Sequence, residues 1–158
     1  MEQCSFLTET KVVEALKNKN MIITTAESCT GGMIASRIVN VPGASAVFKQ
    51  GYITYCDEAK ISILGVKADT LEKYHAVSRE TAAQMAEGGA RAAGADACIA
   101  VTGVAGPDKE DGMPVGLVYI GLFIYDKTYV KEFHFSGSRT EIRNQACEEA
   151  LKLILEYI

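Results

Sequence analysis

A serine hydroxyl at a tight turn is the most pointed chemical feature of this sequence. Ala26, Glu27, Ser28, Cys29, Thr30, Gly31 and Gly32 lie between a β-favouring run and an apolar stretch of helical spacing, where unpaired helix N-terminal amides collect and anions are held. A hydroxyl there can attack an acyl carbon while amides of Thr30, Gly31 or Gly32 stabilise the developing oxyanion. A second reading fits the same residues, in which Ser28 and Thr30 cap the helix and the glycines permit the turn. Cys29 has no matched histidine and reads as a small buried filler.

A serine nucleophile needs a base. His75 and His134 are the only histidines, and neither has an evident orienting carboxylate nearby in sequence, so lysine is the next candidate. Lys60 falls in the first turn of a helix expected to be capped by Asp57, where the positive helix end disfavours an ammonium. Tyr55 ends the preceding strand, so Tyr55 and Lys60 can converge on one hydroxyl; the alternative is a surface lysine near a half-buried tyrosine. Thr102, Gly103, Val104, Ala105, Gly106 and Pro107 form a second glycine-rich connection. It either presents amides to a phosphate or ring, or serves only the geometry of the loop. Arg139 and Arg143, four apart on the last helix, face one way and suit a phosphate, or else pair with neighbouring acids such as Glu141.

The elements that must position these groups follow from periodicity. Helical spacing predicts a first helix over residues 8–19, and a β-rich run predicts a strand over 21–25. Behind Gly31 and Gly32, Ile34, Ala35, Ile38 and Val39 predict a helix ending at Asn40, before a Pro42-Gly43 turn. Residues 46–56 read as a strand, followed by the short helix from Asp57 to Gly65. Ser78 is a suitable N-cap for a helix reaching Ala93, with Gly94 at its left-handed end. Residues 97–101 are a short apolar run suited to a buried strand. Residues 115–124 and 128–135 read as a hairpin joined at Asp126-Lys127. Ser138 and Glu141 form a capping box for a last helix with an apolar stripe of Ile142, Ala146, Ala150, Leu153 and Tyr157. Strands and helices interleave early and an antiparallel pair comes late, which predicts an α/β protein: a three-layer α/β/α sandwich with a mixed sheet.

With 158 residues, 48% hydrophobic and 23% charged, the chain fits one domain with a sizeable core. A formal charge of −4 and no basic run argue against nucleic-acid binding. Five widely spaced cysteines, Cys4, Cys29, Cys56, Cys98 and Cys147, show no zinc-site spacing and read as reduced thiols; no metal or other cofactor is expected. No apolar run reaches membrane-spanning length and residues 1–10 lack a leader pattern, so the expected location is cytoplasmic and no membrane partner is expected. Small residues on the helix after Ser78 suit either sheet packing or a subunit contact, and the expected assembly is a homo-oligomer, in the first place a dimer.

Taken in order, these segments resemble the CinA C-terminal domain family, also described as nicotinamide-nucleotide amidohydrolases. The resemblance runs through residues 26–32, then Gly51-Tyr52-Ile53-Thr54-Tyr55 with Lys60 and Leu64-Gly65-Val66, then Ala76-Val77-Ser78. It continues in residues 102–107, in Pro114-Val115-Gly116, and from Gly137-Ser138-Arg139 to Ile142-Arg143. It implies a metal-free α/β/α enzyme in which Ser28 is the nucleophile and Lys60 and Tyr55 assist proton transfer. The substrate would be a small pyridine nucleotide, nicotinamide mononucleotide, hydrolysed to nicotinate mononucleotide and ammonia. Thr30, Gly31, Gly32, Thr102, Gly103, Gly106, Arg139 and Arg143 are the expected substrate contacts. Two departures stand out: Asp108, Lys109, Glu110 and Asp111 replace the glycines that usually follow Gly-Pro, and Ser138 stands where the family often has aspartate. The altered loop also admits the alternative of a non-catalytic nucleotide-sensing or partner-binding module of the same fold.

Overall fold

Strand β1 (Ile23–Glu27) is buried at all five positions although three of them are polar. It sits between two parallel neighbours, β2 (Tyr52–Ile53) and β3 (Ala97–Gly103). Strands β4 (Leu117–Ile124) and β5 (Lys127–His134) continue the sheet antiparallel, in the order β2-β1-β3-β4-β5. The mixed sheet is therefore as expected. The structure is a computed structural model and describes residues 7–158; Cys4 and most of the segment searched for a leader lie outside the described residues.

One face of the sheet carries α1 (Thr8–Lys19), α2 (Met33–Val39) and α6 (Arg139–Tyr157). Val12, Val13 and Leu16 of α1, Ile34 and Ile38 of α2, and the α6 stripe around Ile142, Ala146 and Leu153 merge there into one buried cluster. An ion-pair clasp holds the three helices together, Arg37 reaching both Glu9 and Glu148. The other face carries α3 (Asp57–Leu64), α4 (Ala68–Tyr74) and α5 (Arg79–Ala93). The small residues of α5 pack against the sheet and α3. A Cβ on Gly89 would stand 2.5 Å from Cys98 Sγ, and one on Gly88 only 1.7 Å from the Leu64 carbonyl oxygen. These layers complete the α/β/α sandwich.

Several elements differ from expectation. Strand β1 is displaced by two residues from the expected 21–25, because the ladder to β3 begins at Ile23–Ala97 and runs to Glu27–Val101. The stretch 46–56 is strand only at Tyr52–Ile53; Ala44–Ala46 is a 3-10 turn, and Thr24 Oγ1 donates to the Gln50 carbonyl at 2.8 Å, a side-chain bond in place of a ladder partner. The N-cap of α3 is Cys56, and Asp57 is its first helical residue with no side-chain cap bond. Helix α4 has no apolar period in its sequence, because only Leu71 among its residues is a buried hydrophobe. The hairpin turns at Tyr125-Asp126, both at positive φ (52° and 57°), and Ile124 pairs with Lys127; this is the handedness that two-residue hairpins favour. The Ser78 cap, the Gly94 terminator and the Ser138–Glu141 capping box are all present.

Candidate active site

The carboxyl ends of β1, β2 and β3 open at one edge of the sheet, where the helix after β1 goes to one face and the helices after β2 go to the other. Such a switch point leaves a crevice beyond the strand ends. A cavity of about 150 Å³ lies there, and Ser28, Tyr55, Lys60, Thr102, Gly103 and Arg139 are among its lining residues.

Ser28 follows β1 directly. Its amide donates to the Val101 carbonyl (3.0 Å), and the Gly31 amide donates back to the Ser28 carbonyl (3.0 Å), closing the turn. Glu27 is fully buried and its carboxylate accepts from the amides of Ile34 (3.0 Å) and Ala35 (3.1 Å). Free N-terminal amides of α2 are thus occupied by the chain's own carboxylate. From α6, Arg143 donates to the carbonyls of Cys29 (2.9 Å) and Thr30 (3.1 Å). The turn is held from both sides.

Lys60 comes from the opposite face of the sheet. Its ammonium stem is only 1% exposed, and Nζ donates to Ser28 Oγ (3.2 Å) and to the Thr54 carbonyl (3.0 Å). Burial lowers its pKa from the ordinary 10.5, against the opposing pull of Asp57, Cys56, Glu110 and Cys29. Desolvation penalises the charged form of an amine, so Lys60 gives up its proton more readily than a solvated lysine does. Desolvation, rather than position in the first helical turn, is the leading cause of the shift.

The remaining expected residues divide. Tyr55 lines the same cavity but is well exposed, and its hydroxyl meets Arg139 (3.0 Å) rather than Lys60 or Ser28. Arg139 also donates to the Gly106 carbonyl (2.5 Å), bridging the two loops that flank the opening. Thr102 donates to the Ala76 carbonyl (2.8 Å) and Gly103 ends β3, both at the cavity wall. Thr30, Gly31, Gly32 and Arg143 lie outside the lining and build the turn beneath it. Cys29, Ala105 and Gly106 are among the lining residues, and their amides have no backbone acceptor among the described residues. Cys29 itself is buried, which pushes its thiol pKa up to about 12 and leaves it unsuited to act as a thiolate.

Sequence reasoning gave no role to the Glu27 carboxylate, which sits within the Ser28 motif, and read Asp57 as a cap and Asp108 and Glu110 as an altered loop, whereas all three of these acids line the cavity. A buried acid one residue before the turn was the available signal for Glu27. Among the described residues there is no group of three His, Cys, Asp or Glu side chains placed to hold a metal ion, and no helix is long and apolar enough to cross a membrane.

Comparisons with known proteins agree with this architecture. A "CinA-like protein" of Kosmotoga olearia is 51% identical over 144 residues, which is 90% of this chain and 35% of the relative. A relative from Clostridium botulinum (strain Kyoto / Type A2) is 51% identical over 153 residues, or 94% of this chain and 36% of its own length. The chain thus spans about a third of the length of the curated relatives it matches. Among solved structures, a competence-damaged protein (CinA) superfamily protein from Escherichia coli superposes with a TM-score of 0.93 at 36% identity, covering 96% of this chain and 88% of the other. The competence/damage inducible protein CihA from Agrobacterium tumefaciens gives 0.91 at 36% identity, covering 94% and 92%. The profile of the CinA C-terminal domain matches residues 6–158. With the whole sandwich and both glycine-rich turns inside that match, the chain belongs to the CinA C-terminal domain family.

Proposed function

We propose that the protein hydrolyses the carboxamide of a pyridine nucleotide, nicotinamide mononucleotide in the first place, with Ser28 as nucleophile and Lys60 as general base. The observation that carries this reading is a lysine amine removed from water and 3.2 Å from a serine hydroxyl at the wall of a cavity. A solvated lysine holds its proton too firmly to serve as a base near neutrality, whereas a desolvated one does not.

In the neutral amine, one N–H stays on the Thr54 carbonyl and the lone pair turns to the Ser28 hydroxyl. Ser28 Oγ attacks the carboxamide carbon and its proton passes to Lys60 Nζ. The oxyanion donors in this reading are backbone amides of the lining loops, at Cys29 and in the Ala105–Gly106 segment. Lys60 then gives the proton to the amide nitrogen, the C–N bond breaks and ammonia leaves. Water attacks the acyl-serine, losing a proton to Lys60, which returns it to Ser28 Oγ as the ester bond breaks and the acid departs. Tyr55 and Arg139, bonded to each other at the mouth, are positioned to contact the part of the substrate outside the cavity.

The test is release of ammonia from nicotinamide mononucleotide by the purified chain in the presence of chelator. Ser28→Ala and Lys60→Ala should each reduce turnover by about 1,000-fold or more, the scale of losing a nucleophile or its base. Activity surviving Ser28→Ala would remove the mechanism.

A further inference from the structure

The cavity that holds Ser28 and Lys60 is bordered by carboxylates that the proposed chemistry does not use. Asp57, Asp108 and Glu110 line it, while Arg139 is the one lining cation besides the desolvated Lys60. Among the described residues none of the three carboxylates enters an ion pair. Arg139 is spent on the Gly106 carbonyl and the Tyr55 hydroxyl. Three carboxylates against the Arg139 guanidinium and the Lys60 amine leave acids in the majority on the lining, and the three acids stand at its exposed rim, where charge still acts across several ångströms.

The acidic segment is a built feature. Glu110 and Met113 exchange backbone hydrogen bonds (3.3 and 2.8 Å) across Asp111 and Gly112, whose φ values of 48° and 75° make a two-residue hairpin turn. Asp111 lies 3.9 Å from His75 Nδ1, so the tip leans on the segment before α5 and Glu110 is left on the cavity side. Asp57 and Glu110 are both close enough to act electrostatically on the Lys60 amine. At about 150 Å³ the cavity is smaller than the roughly 300–1,000 Å³ of sites that enclose a whole drug-sized ligand. It fits one ring and its amide, with the remainder of the substrate outside.

We propose that Asp108 and Glu110, together with Asp57, determine specificity by selecting carboxamides carried on a cationic ring over the same amide on a neutral ring. This rests on the amidohydrolase reading for its substrate but not for its binding preference. A pyridine alkylated or glycosylated at its ring nitrogen carries a full positive charge, whereas the free base is neutral. The charge is delocalised over the ring that must lie beside Ser28, so the carboxylates act on the part of the substrate inside the cavity.

The test separates binding from turnover. Nicotinamide (neutral) and 1-methylnicotinamide (cationic) are titrated calorimetrically into the Ser28→Ala protein and into Ser28→Ala carrying Asp108→Asn and Glu110→Gln. Both loop positions are exposed, so the substitutions leave the fold intact, as circular dichroism would verify. The cation should bind about tenfold more tightly, the scale of a unit charge meeting carboxylates across several ångströms of partly screened space, and the ratio should fall to near one in the loop variant. Equal affinities, an undiminished ratio in the loop variant, or binding of neither compound overturns the proposal. In parallel, ammonia release by the Ser28 protein is measured for both amides. Selective binding without turnover would sink the hydrolytic reading and leave the selection standing, while turnover with equal kcat/KM for the two amides would do the reverse.

Discussion

Replacing Glu27 by Gln probes the anchoring of the nucleophile turn more directly than any change to Ser28 itself. The Glu27 carboxylate is fully buried and accepts two backbone N–H bonds, from Ile34 and Ala35, one on each oxygen. Glutamine keeps one acceptor oxygen but must aim its NH2 at the other amide, turning an attraction into a donor–donor contact. A hydrogen bond to a charged group contributes about 1.5–3 kcal/mol and an unsatisfied buried donor costs about 1–3 kcal/mol. The neutral amide recovers part of the cost of burying a charge, so the net loss should be about 3 kcal/mol. For a chain of this length that lowers Tm by about 6–12 °C. Differential scanning calorimetry and urea denaturation measure it, and an unchanged m-value would show that the native state alone has weakened. Because Ser28 is the next residue, ammonia release should also fall, by at least about tenfold, since small misplacements of a reacting group are costly. A Tm within about 2 °C of the parent, with turnover intact, would refute the claim that Glu27 organises this turn.

Two further outcomes follow from the same geometry. The activity of the parent should rise with pH along a limb set by Lys60, placed below the ordinary lysine value of 10.5 because burial disfavours the ammonium. Between that lowered folded value and 10.5 the unfolded chain holds the extra proton, so stability rises with pH across this window, and Lys60→Met should lack this slope while losing activity; equal slopes in pH-dependent urea melts would contradict the assignment. Gly88→Ala would place a Cβ 1.7 Å from the Leu64 carbonyl oxygen, forcing α3 from α5 at a cost of about 1–3 kcal/mol. Since Lys60 rides on α3, turnover should fall with the urea midpoint, and a midpoint unchanged from the parent would show that the helices separate freely.

Much of the frame was legible because it is written locally. Ser78, Gly94 and the Ser138–Glu141 pair each act within one turn of their own position, and the caps are found where sequence put them. The bodies of α1, α5 and α6 likewise carry their periods in their own residues. The strand boundaries were less legible, because Ala26 and Glu27 read as part of the turn motif and become strand only through pairing with β3, some seventy residues away in the registers Ala26–Ala100 and Glu27–Val101. Residues 46–56 show the converse, a β-rich composition whose central carbonyl is claimed by the Thr24 hydroxyl. Neither outcome is visible without knowing which strands are neighbours.

The same distinction governs the site. That Ser28 and Lys60 meet follows from the turn after β1 and the first turn of α3, which follows β2, lying beyond the same ends of neighbouring parallel strands, and strand-to-helix order alone suggests it. What surrounds them depends on who has already been partnered. The amides of α2 look like an anion site until the Glu27 carboxylate fills them, and Arg143 looks like a phosphate ligand until it is bonded to the Cys29 and Thr30 carbonyls. Once these groups are subtracted, the polar lining left includes Ser28, Lys60, backbone amides such as those of Cys29 and Ala105, and a rim on which three acids outnumber the one arginine. A rim of that sign repels a bare phosphate and attracts a cationic ring, so under the proposed reaction the ring charge, rather than the glycine-rich turns, is the feature of a substrate that this lining would favour.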